Sequence, residues 1–184
     1  MTGSRFLVSW CLLVSMALPS SATALPRMVF SPLRSSLLAA SSIHTKLLAC
    51  LARGDIAGAV VMYEAQTGQA PPAWLLELQG AYAVTQQIAG KCQQVARVIH
   101  TAFTRLGQAP RYIAFRAKGD EEFMVFELTS GRSAPVSRNS YHVAVELGDH
   151  IYDAYTGPTG MKLTEYLGRL HARQGITWDQ VVAP

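Results

Sequence analysis

A chain of 184 residues has room for one domain and a short extra segment, and its 49% hydrophobic share is ample for a buried core, which excludes a globally disordered protein. The formal net charge of +4 is mild, and the sequence holds no run of five like charges. A tail built for nucleic acid or a membrane surface is therefore not expected.

Residues 1–24 stand apart as a predicted signal peptide. Arg5 precedes an apolar run from Phe6 to Leu18, followed by Pro19, two serines and the small triplet Ala22-Thr23-Ala24. Charge, apolar stretch and small-residue site occur in the order a secretory signal requires. The run is shorter than the about 20 residues of a bilayer span, so no stable membrane span is expected. Cleavage after Ala24 would place the protein outside the cell or in a periplasm and would remove Cys11, leaving Cys50 and Cys92. A buried N-terminal helix is the alternative for the same stretch.

Residues 25–72 read as a helical lead-in segment. Residues 25–44, rich in Ser and Leu with two prolines, suit an arm, and Ile43 to Ala52 is a short apolar helix ending before Gly54. Residues 55–65 fit helix or strand equally well. Thr67 to Pro72 is a loop by its Gly and Pro content.

Residues 73–184 form the main domain. Trp74 to Thr85 reads as helical, interrupted at Gly80, with a further break at Gly90. Cys92, Val95, Ala96, Ile99, Phe103 and Leu106 then recur at helical spacing as one stripe, and Gly107 supplies a stop. Cys92 thus stands in the first turn of an amphipathic helix. Beyond it the period changes to two, which predicts strands over Arg111–Ala117, Phe123–Leu128, Tyr141–Leu147 and Ile151–Tyr155. Gly119-Asp120 and Gly148-Asp149 supply turns, and Leu163 to Ala172 closes the chain as a helix capped by Thr164. The expected class is α+β: helices first, then an antiparallel meander with the Cys92 helix packed on one face.

The Gly148-Asp149 turn has a consequence for chemistry. A two-residue hairpin loop pairs Leu147 with His150 and Val145 with Tyr152, and continuing the ladder pairs Ala144 with Asp153 and His142 with Tyr155. His142 and Asp153 then become diagonal neighbours on one face, and a slip of one residue would separate them. A helix N-terminus and a nearby imidazolium both favour a thiolate, and a carboxylate on the second ring nitrogen fixes the tautomer. Cys92, His142 and Asp153 are therefore the candidate nucleophile, base and orienting acid. Gln86 and Gln87, just upstream, are candidate side-chain donors to an oxyanion beside the amides of the helix end.

Three segments in the same order carry a resemblance. Gly-Lys-Cys-Gln-Gln-Val-Ala-Arg-Val-Ile-His over 90–100 resembles the nucleophile helix of papain-like and transglutaminase-like enzymes. Tyr-His-Val-Ala-Val-Glu-Leu over 141–147 and Ile-Tyr-Asp-Ala-Tyr-Thr-Gly-Pro over 151–158 resemble their His and Asp strands, most of all those of papain-fold toxin and effector domains of bacteria. The chain lacks the Cys-Gly-Ser-Cys-Trp context of papain enzymes and the Trp that follows the Cys in transglutaminases. The resemblance implies a papain-like catalytic domain over 73–184 and a cysteine-dependent amidohydrolase without a cofactor. Its substrate would be a protein, through glutamine deamidation, peptide hydrolysis or transamidation. It also implies the oxyanion role for Gln86, and an immunity protein or host target as a partner.

Other readings compete. Cys50 and Cys92 could form a disulfide in a secreted, non-enzymatic binding domain. Arg97, Arg105, Arg111 and Arg116, expected as solvated faces, could with a His serve a nuclease toxin. A metal site from His142, His150, Asp149 and Asp153 fits no standard zinc spacing. Gly157-Pro158-Thr159-Gly160 lacks the Lys of a phosphate loop and reads as a turn beside the cleft.

Overall fold

In this computed structural model residues 32–184 are described, with side chains from residue 42 onward. The signal-peptide expectation for residues 1–24 lies outside the described residues. The elements run α1 (Pro32–Ala52), α2 (Ile56–Thr67), α3 (Ala73–Ala81), a 3-10 turn (Val84–Gln86) and α4 (Cys92–Arg105). There follow β1 (Arg111–Ala117), β2 (Met124–Glu127), β3 (Ser133–Ser137), β4 (Tyr141–Leu147), β5 (His150–Tyr152), β6 (Met161–Lys162), α5 (Leu163–Arg169), β7 (Leu170–His171) and β8 (Ile176–Val181). The class is α+β with antiparallel sheets. Among the described residues no helix is long and apolar enough to cross a membrane.

The two lead-in helices have local causes. Proline at the first helical position, Pro32, has its φ preset for a helix, so α1 begins inside the stretch expected to be an arm. Asp55 settles the undecided segment 55–65: its carboxylate accepts the Gly58 N–H at 2.8 Å and caps α2.

The central sheet has strand order β6-β5-β4-β1-β8, and a smaller sheet has order β3-β2-β7. The middle five residues of β4, His142 to Glu146, are all buried, so this strand needs cover on both faces. On one face Val143 and Val145 pack with buried residues of α1 to α4, including Leu47, Leu75, Leu78, Val95, Ile99 and Phe103. On the other, Ala144 packs with Ile113, Phe115, Met124, Phe126, Ile151 and Tyr166.

That second face corrects the expected meander. β1 pairs with β4 and β8, while β2 leaves the central sheet and turns Met124 and Phe126 onto its far face. The final helix is also shorter than expected. It ends at Arg169, because Leu170 and His171 pair with β2.

α4 keeps the expected stripe, with Val95, Ala96, Ile99, Ala102 and Phe103 buried. Its end is a Schellman closure: Gly107, at φ 74°, donates to Thr104 O and Gln108 donates to Phe103 O, each at 3.0 Å. Its beginning is open, since Lys91 precedes Cys92 and supplies no side-chain cap. The first-turn amides of α4 are left free for other partners.

Candidate active site

The β4–β5 hairpin sets the geometry. Leu147 pairs with His150 and Val145 with Tyr152, the register a two-residue loop imposes, with Gly148 at φ 65° where a type II′ turn requires it. The ladder then stops, so the pairing of Ala144 with Asp153 and of His142 with Tyr155 is not made. The cause is Asp153 itself. Its Oδ1 accepts the backbone N–H groups of Tyr155 at 2.8 Å and Thr156 at 2.9 Å, which folds the chain into a turn. Extended pairing to Tyr155 and this turn are mutually exclusive.

The other carboxylate oxygen reaches back to β4. Asp153 Oδ2 accepts from His142 Nε2 at 3.0 Å and from the Tyr166 hydroxyl at 2.7 Å. His142 has no exposed surface, and its ring lies 6.2 Å from both Phe115 and Tyr155. A carboxylate on Nε2 fixes the tautomer that leaves Nδ1 as the basic nitrogen. Nδ1 is buried and completes no hydrogen bond among the described residues.

Cys92 is the group that addresses that nitrogen. In a two-residue hairpin the N–H groups of Leu147, Val145 and Val143 all point toward the β5 side. Past Tyr152 the β4–β5 pairing ends, and the Val143 N–H acts on the Cys92 thiol. Cys92 packs with the helix-side core, while His142 stacks on Phe115 from the opposite face. The thiol and the ring lie near enough for each to set the other's proton affinity, while Nδ1 completes no hydrogen bond among the described residues.

Burial opposes ionisation of Cys92, yet the His142 ring and the N–H groups of Val143 and Gln93 bring the thiol below its ordinary value. Burial likewise opposes a charged His142, but Asp153 and Cys92 raise it to about 9. Burial raises Asp153, and His142, Tyr166 and the Thr156 N–H outweigh it and hold the carboxyl low. These directions favour a thiolate–imidazolium pair beside an ionised carboxylate. Because each group shifts the other, the two titration steps belong to the Cys92–His142 pair.

Both glutamines lie just before α4, in different roles. Gln86 lines a groove between α3 and α4 with Glu77, Gly80, Gln94 and Val98. Gln87 donates through Nε2 to Ala154 O at 2.9 Å and ties the α4 approach to the residue after Asp153. Tyr166 had no sequence signal beyond an apolar helical position, because its hydroxyl matters only through a tertiary contact.

The remaining expectations separate. Cys50 and Cys92 are both free, so the Cys50–Cys92 disulfide is not present; Cys50 lies in α1 and its Sγ accepts from Arg53 at 3.5 Å. His150 pairs with its neighbour Asp149 on the surface, and no metal-holding cluster of His, Cys, Asp and Glu occurs among the described residues. Gly157-Pro158-Thr159-Gly160 packs beneath the α1–α2 turn, where Pro158 and Thr159 lie against Gly54, rather than beside Cys92. Arg111 pairs with the buried Glu146 at the surface edge, and Arg116 pairs with the exposed Asp179.

Comparison with protein-family models, with curated proteins and with solved structures returns no match to this chain.

Proposed function

We propose that the chain is a cysteine-dependent amidohydrolase of papain-like or transglutaminase-like architecture, with Cys92 as nucleophile, His142 as general base and acid, and Asp153 orienting the ring. The observation that carries this reading is His142 itself: wholly buried, bound to a carboxylate through Nε2, unpartnered at Nδ1, and close enough to the Cys92 thiol for each to shift the other. A core histidine kept for packing would have both nitrogens satisfied.

The Cys92 thiolate adds to the carbon of a carboxamide, forming the C–S bond as the carbonyl pair moves to oxygen. Amides of the open α4 end receive that oxyanion, with Gln86 as the side-chain candidate for a second donor. Collapse breaks the C–N bond, and the imidazolium gives its Nδ1 proton to the departing nitrogen. His142 then takes a proton from water as it attacks the thioester, which frees the acid and the thiol. A side-chain amide as substrate makes this a glutamine deamidation, a backbone amide makes it a peptidase, and an amine replacing water makes it a transamidation. No step calls for a cofactor. A protein substrate, export, and an immunity protein or host target extend the same reading from the order of the three segments.

The test is alkylation of the non-reduced protein by iodoacetamide, followed at each cysteine against pH. Cys92 should label below pH 7, roughly tenfold or more faster than Cys50, and His142→Ala should remove that advantage. Equal Cys92 rates in wild type and variant would end the assignment.

A further inference from the structure

Asp153 carries one hydrogen bond more than the orientation of an imidazole requires. An ionised carboxylate offers about four lone-pair sites, and here all are filled. Two backbone N–H groups hold Oδ1, and His142 Nε2 shares Oδ2 with the Tyr166 hydroxyl. Among the described residues Tyr166 is the largest wholly buried side chain, fixed by Phe115 at 5.1 Å and Phe126 at 4.9 Å, so its hydroxyl has a single direction to point. Phenylalanine would fill the same space, which leaves the hydroxyl to be explained by the carboxylate it meets.

We propose that Tyr166 is a positioning residue of this site: by sharing Asp153 Oδ2 it lets the carboxylate orient the His142 ring without holding the ring's proton too tightly. The inference rests on His142 acting as base and acid. In a water-free site an unshared carboxylate attracts an imidazolium strongly. That attraction helps form the ion pair but hinders delivery of the proton to a leaving nitrogen. The Tyr166 O–H dipole turns its positive end toward the same oxygen and offsets part of the attraction. The titratable groups that face the ring are Cys92 from α4, Asp153 and Tyr155 from the turn after β5, and Tyr166 from α5. β1 and β2 contribute Phe115 and Phe126, without charge.

Tyr166→Phe tests the inference, with Cys92 alkylation followed against pH and the His142 ring titrated by NMR in the same protein. The step at which His142 loses its proton should rise by about 0.5–1 pH unit, and the acid limb of Cys92 labelling should move to lower pH. A folded variant with an unchanged profile, while His142→Ala still abolishes fast labelling, would overturn the role of Tyr166 and leave the proposed function standing. Absence of His142-dependent labelling in the wild type would overturn both. If the variant does not fold, the wild-type Tyr166 hydroxyl proton answers the question. Its NMR shift should follow the His142 titration, and a shift independent of it overturns the proposal.

Discussion

Among the described residues two His–Asp pairs sit at opposite ends of the same hairpin, and they differ in everything but distance. His150 and Asp149 lie 2.7 Å apart at the turn, with 36% and 74% of their side chains exposed. His142 and Asp153 lie 3.0 Å apart at the far end, 0% and 3% exposed. Water solvates the first pair whether or not it forms, so the shorter contact contributes little. The second pair has no water to fall back on. Its members depend on each other, on two backbone amides and on Tyr166. Separation alone would rank the pairs wrongly; burial and the completeness of the partner set rank them correctly.

Three experiments test that contrast. Removing the buried acid should have the largest effect. Asp153→Ala leaves His142 and the Tyr155 and Thr156 amides without their partner, and should cost about 3–5 kcal/mol in a urea unfolding curve. A loss no larger than that of a surface substitution would mean the pair is not buried in solution.

The pH dependence of stability comes next. His142 is raised from 6.5 to about 9, so its contribution is complete below pH 6.5 and fades as the pH rises through about 9. Asp153 is lowered from 3.8, so its contribution is complete above pH 3.8 and is lost as the pH falls through the folded value. The lowered Cys92 thiol binds one proton fewer in the folded chain and offsets His142. Thermal unfolding should therefore be nearly level between pH 6.5 and 9 in wild type, fall on the acid side, and fall with rising pH above 6.5 in Cys92→Ala. A Cys92→Ala profile that is flat from pH 6.5 to 9 would contradict the imidazolium held by Asp153.

The smallest effect belongs to the exposed pair. His150→Ala should leave both the unfolding midpoint and the pH profile of Cys92 labelling at their wild-type values. A clear change in that profile would give the turn histidine a part in the chemistry that its position denies it.

What was legible in the sequence divides along similar lines. The α4 stripe and the Gly148 turn are local patterns, and both placed their residues as expected. Knowing the turn was enough to put His142 and Asp153 on one face, even though Asp153 ends the ladder rather than joining it. β3 carries Pro135, and β8 has four consecutive exposed residues, Thr177 to Gln180, so neither shows the alternation of a half-buried strand. The departure of β2 into a second sheet follows from the two-sided burial of β4, which is a property of the assembled layers. Tyr166 and the Gln87–Ala154 bond join residues 13 and 67 positions apart, beyond the reach of any periodic pattern.

The hairpin register also governs what a measurement of concentration means. A slip of one residue at Gly148 would turn His142 toward the helical layer while leaving most apolar residues some place to pack. Such molecules could remain compact and soluble, and would pass as native by size or by overall helix content. They would lack the imidazole beside the thiol and would react as slowly as an ordinary cysteine. If Cys92 is activated as proposed, its stoichiometric labelling at mildly acidic pH would count correctly registered chains, and the shortfall from the total protein would measure hairpins that closed one residue out of place.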